Sequence, residues 1–237
     1  MTDLPIYVPL TFLLTTLATF GFIYFMVQST QTKNEHNLTM IVSTFILSWM
    51  FVVAILSINE FFLVFDSMPP RFLLAIGPPI ITIIAIFTKE RSRAYIKRIP
   101  ITTITYIHII RVPVEIVLWW LFIGGLIPQS LTFEGINYDI LAGISAPFVA
   151  IFMVGLRSKS RIGAILWNVL ALGLLLNIVI RAVLSAPLPF QQFAFDNPQT
   201  AVFYFPYIWL PAFIVPVVLF SHLASLLKLF ANTEDVR

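Results

Sequence analysis

The chain has 237 residues, of which 59% are hydrophobic and only 11% charged, with a formal net charge of +3 and a mean hydropathy of +0.95. A soluble domain carries about 25% charged residues, so this composition excludes a water-solvated globule and calls for lipid as solvent. There is no cysteine, which excludes disulfides, thiolate metal sites and cysteine nucleophiles.

Apolar runs of roughly 20 residues recur along the chain, each long enough to cross a ~30 Å hydrocarbon layer as a helix. The ~10-residue alternating segments of a transmembrane barrel are missing. The reading is an all-α polytopic protein, one transmembrane domain over residues 1–237. Its seven spans fall at about 5–28, 39–65, 71–88, 99–127, 138–156, 162–186 and 201–230. The first lacks the basic leader of a cleaved signal and is expected to stay as a helix. The second ends in Asn59 and Glu60, and the third carries Gly77, Pro78 and Pro79. The fourth holds "HIIRVPVE" (108–115), and Pro147 interrupts the fifth. Asn168, Asn177 and Arg181 lie on the sixth, and Pro211, Pro216 and His222 on the seventh.

Basic residues remain on the cytoplasmic side of short loops. Lys33, Lys89, Arg91, Arg93, Lys97, Arg98, Arg157, Lys159, Arg161, Lys228 and Arg237 fall at one end of the seven-span scheme, against Arg71 at the other. That bias places the N-terminus outside and the C-terminus in the cytoplasm. The loop "KERSRAYIKR" (89–98) reads as this topogenic signal. Its cations Lys89, Arg91, Arg93, Lys97 and Arg98 are expected to attract anionic lipid headgroups at roughly 1 kcal/mol each, rather than nucleic acid. The opposite loops, 129–139 and 185–200, are acidic and aromatic. Short loops and the lack of cysteine point to a bacterial inner membrane.

His108, Arg111 and Glu115 are spaced i, i+3, i+7 and share one helical face. A charge at the bilayer centre costs about 2.5–3.5 kcal/mol on insertion scales, so such a stripe faces the bundle or a wet cavity. Pro113 cannot donate to the carbonyl of Ile109 and loosens the helix beside the charges. Counting 1.5 Å per residue, Glu60 and Arg181 share a depth near the outer interface and are expected to pair. Glu115 and Asn177 share the middle level, and His108 and His222 the inner half.

Intramembrane ionisable residues read as a functional site. The expectation is an interior charged site that binds or translocates a small charged or proton-coupled solute. Arg111 would hold an anionic group and Glu115 would titrate, with His108 or His222 relaying protons, and Asn177, Glu60 and Arg181 would complete the polar lining. No cofactor is expected on this reading. A second reading is a quinone-reactive or b-type haem subunit with His108 and His222 as axial ligands. A third is a non-catalytic receptor or partner subunit. Seven spans invite comparison with microbial rhodopsins, but Lys228, the lone lysine of the last span, sits at its end, where no retinal Schiff base could form. No nucleophile elbow or paired-histidine zinc motif is present, so an enzyme is disfavoured.

Overall fold

The computed structural model describes residues 4–32, 35, 37–155 and 160–231. Lys33, Arg157, Lys159 and Arg237 therefore lie outside the described residues. The chain is all-helical, without strands among the described residues. Five helical stretches are long and apolar enough to cross a membrane: Tyr7–Thr30 (α1), Leu38–Ile58 (α2), Ile101–Ile123, Arg161–Ser185 (α8) and Leu210–Phe230.

The remaining helices explain why five is not seven. Leu73–Thr88 (α3), which meets the expected third span, has 16 residues and is bent by 88° against Glu90–Arg98 (α4), so the basic loop read at 89–98 is a helix lying across its end. Asp139–Phe152 (α7) has 14 residues, which at 1.5 Å each spans about 21 Å. The sequence expectation of a span over 138–156 exceeds what the helix delivers.

Proline decides the local geometry of two spans. The stretch 101–123 is α5 (Ile101–Tyr106), a 3₁₀ segment (Ile107–Ile110) and α6 (Arg111–Ile123). The tightened turn contains Ile109, from whose carbonyl Pro113 withholds its usual N–H. The last span opens with a π-helical turn (Leu210–Ile214) before α9 (Val215–Phe230). Pro216 cannot serve the carbonyl of Ala212, and Trp49 Nε1 donates to that oxygen instead, at 3.1 Å. Trp209 Nε1 returns the bond to Met50 O at 2.9 Å. The two tryptophans thereby lock α2 to the irregular turn.

The outward faces are apolar, as a lipid-solvated bundle requires. On α8, Ile162, Leu166, Val169, Leu170 and Ile180 are exposed, while Ala164, Asn168, Ala171, Leu175 and Ile178 turn inward. The main core gathers Phe12, Ile107, Val117, Leu121 and Tyr207 between α1, α6 and the last span. Basic residues collect at one end. Arg98 pairs with Glu35 at 2.7 Å, Arg161 Nε donates to Leu229 O at 2.7 Å, and Lys228 Nζ donates to Lys97 O. Arg98 and the Thr32 backbone hold the Glu35 carboxyl down at about 2, from an ordinary 4.5.

Candidate functional site

The stripe on the 101–123 helix turns into the bundle. Arg111 and Glu115 are each 2% exposed and His108 is fully buried. Pro113 and the 3₁₀ turn sit among them, so the polar face occupies the least regular part of the span.

Arg111 and Glu115 do not pair. Arg111 Nε donates to Asp139 Oδ2 at 2.6 Å, and Nη2 donates to Asp139 Oδ1 in the second arm of a bidentate contact. Nη2 also donates to Ala171 O at 3.0 Å, and Nη1 lies 3.1 Å from His222 Nε2. Four of the five guanidinium N–H groups are thus engaged. Little of Arg111 remains for an anionic solute, which corrects the role expected from sequence.

The same bonds assign His222. Arginine can only donate, so Nε2 must accept and the ring is neutral, with its proton on Nδ1. Nδ1 then donates to Asn168 Oδ1 at 3.1 Å, while Asn168 Nδ2 donates to Ala164 O at 2.9 Å. Asp139, Arg111, His222 and Asn168 form one continuous chain of bonds across α7, α6, α9 and α8.

Asp139 reaches Arg111 because α6 and α7 touch closely at Gly143, one turn along α7. A Cβ at Gly143 would lie 2.8 Å from Val112 Cγ2 and 3.0 Å from Val112 N. Only a residue without a side chain allows that approach.

Glu115 has a different partner. Asn137 Nδ2 donates to its two oxygens at 2.8 and 2.7 Å, and Asn137 Oδ1 receives the backbone N–H of Asp139 at 3.0 Å. No cation contacts Glu115 among the described residues. Asn177, expected beside it, donates to Ile136 O at 3.2 Å and receives Arg181 Nε at 2.9 Å. The Arg181 guanidinium also lies over the Phe193 ring, 6.0 Å from its centroid. Arg181 does not reach Glu60, which is exposed in the turn after α2, so the expected pair is not formed. Asn137, by sequence an outer-loop residue open to solvent, is instead fully buried.

His108 stacks on His222 with ring centroids 4.1 Å apart and meets the edge of Trp167 at 5.3 Å. Neither of its nitrogens has a partner. The two imidazoles leave no gap for a porphyrin, and both nitrogens of His222 are already used. The donor set does not fit a bis-histidine haem.

A cavity of about 100 Å³ lies beside the network, between α3, α6, α8 and the π-helical turn. Its walls are apolar (Phe72, Leu118 and Leu175 among them) except for Glu115, Asp139 and Gln199. Gln199 is buried, and its Oε1 has no donor. Sequence reasoning missed Asp139, Asn137 and Gln199. Asp139, an acid opening an apolar helix opposite an intramembrane arginine, was the one available signal.

Residues 69–230 match the family described as "Domain of unknown function (DUF8737)", so the chain belongs to that family. The whole network and its cavity fall within the matched stretch. No curated protein and no solved structure matches the chain.

Proposed function

We propose that this member of the DUF8737 family binds a small cation, the proton included, at the buried cavity and passes it across a membrane. One observation carries the reading. The cavity's polar groups include two carboxylates and an amide oxygen without a donor, while the nearby guanidinium is spent on Asp139, Ala171 and His222. Such a set of acceptors, in a volume of about 100 Å³, suits a proton on Glu115 or a small cation with a water or two.

The Arg111–Asp139 pair is the fixed frame of the site, since a buried charge stays ionised at low cost only when paired and hydrogen-bonded. Glu115, held by an amide and by no cation, is the group that exchanges its proton. His108 and His222 extend the polar path toward the basic end.

The finer architecture belongs to the same proposal. Counting α3 and α7 as short spans gives seven crossings, with α4 lying in the interface. The collected cations then set the N-terminus outside and the C-terminus in the cytoplasm. The basic helix would bind anionic headgroups, in a bacterial inner membrane.

The test is a pH titration of the reconstituted protein followed by infrared spectroscopy. A carboxyl C=O band that comes and goes with pH should be present in the wild type and missing from Glu115→Gln. Identical titrations of the two proteins would overturn the assignment.

A further inference from the structure

A second hollow, roomier than the acidic cavity, is separate from it. It is a groove of about 620 Å³ running between α1, α2, α3 and α9 and closed at the basic end by α4. That volume lies in the range of small-molecule sites, about 300–1,000 Å³. Its long walls are apolar, with Ile23, Val42, Phe45, Ile83 and Phe213 among them.

The polar groups are distributed unevenly along its length. In the shaft, Thr82 Oγ1 donates to Pro78 O at 2.8 Å and the Trp49 indole to Ala212 O at 3.1 Å, so both are satisfied internally. At the α4 rim, Tyr95 donates to Val27 O at 2.9 Å and Glu35 is neutralised by Arg98 at 2.7 Å. Among the described residues, Arg91, Ser92 and Asn37 at that rim have no side-chain partner, and Arg91 is exposed. The groove is thus apolar along its shaft and cationic at its mouth, beneath a helix that turns 88° to lie across the end of α3.

We propose that this groove holds one acyl chain of an anionic phospholipid, whose phosphate is bound by Arg91 with Ser92 and Asn37. The occupant follows from the charge and from the shape. A bilayer supplies chains to an apolar shaft that opens among lipid-facing helices, and the exposed Arg91 guanidinium at the groove's mouth selects a negative headgroup. The lipid is a resident ligand, distinct from the cation of the acidic cavity.

Native mass spectrometry of the protein in a non-ionic detergent tests this, with phosphatidylglycerol and phosphatidylcholine of identical chains as probes. The wild type should retain one phosphatidylglycerol in preference to phosphatidylcholine. Arg91→Gln should weaken that binding about tenfold, as loss of a charge-assisted contact does, while Arg71→Gln, outside the groove and at the opposite end of the molecule, should leave it unchanged. Val42→Trp, which fills the shaft, should also remove the bound lipid. Glu115→Gln should retain it, which separates a failure here from a failure of the cation site. Equal retention of the two lipids, equal effects of Arg91→Gln and Arg71→Gln, or a second copy of the chain in place of lipid would each overturn the proposal.

Discussion

Arg111 is held by Asp139, 28 residues further along the chain, rather than by Glu115 on its own helix; its Nε donates to Asp139 Oδ2 at 2.6 Å. Both partners are buried, so removing one leaves the other uncompensated. Arg111→Ala should therefore destabilise the protein by about 3–5 kcal/mol. The double change Arg111→Met with Asp139→Leu should recover most of that loss, because a hydrophobic replacement of a buried pair is often neutral or stabilising. Denaturant unfolding of the detergent-solubilised variants measures the coupling, and additive effects would contradict the pair.

Close approach at Gly143 makes this pair possible. Gly143→Ala forces a Cβ to 2.8 Å from Val112 Cγ2 and should cost about 1–3 kcal/mol, the usual range for overpacking. A thermal-shift comparison with Gly173→Ala, where nothing lies within 4 Å of the added Cβ, isolates the packing effect. Equal behaviour of the two variants would contradict it.

How far the sequence was legible follows from what helical spacing can carry. Spacing fixes which residues share a face and roughly how deep they lie, and the stripe His108, Arg111 and Glu115 does turn inward. Depth alone carries no bearing around the bundle. Glu60 and Arg181 were matched by height, yet Arg181 bonds Asn177 on its own helix. His108 and His222 were matched in the same way and do stack, because the 3₁₀ turn and α9 are neighbours. Asp139 falls at the end of the acidic loop 129–139, and nothing local announces that Gly143 lets α7 press against Arg111. The span length misled at α7, where the apolar run 138–156 yields a helix of only 14 residues.

At the basic end, the depressed Glu35 carboxyl makes a pH prediction. Its folded value, about 2, lies below the ordinary 4.5. The Arg98 contact therefore adds stability above pH 4.5 that is lost as pH falls toward 2. Carbon-detected NMR of the Glu35 carboxyl should give a midpoint near 2 in the wild type and nearer 4.5 in Arg98→Gln. An unchanged midpoint would mean that the pair does not form in solution.

The orientation can be read from cysteine labelling, since the background contains no cysteine. Arg93→Cys on the exposed side of α4 should react with an impermeant maleimide only from the cytoplasmic face. Gln192→Cys in the opposite loop, also exposed, should react only from outside. Reversed accessibility would invert the topology.

The central claim, that Glu115 carries the proton of an intramembrane cation site, is tested most directly by proton flux. Proteoliposomes loaded with a pH-sensitive dye are given a potassium diffusion potential with valinomycin, and the internal pH is followed. The wild type should move protons faster than empty liposomes, and Glu115→Gln should fall to the empty-liposome rate. Wild-type flux equal to that of empty liposomes, or full flux in Glu115→Gln, would contradict the account.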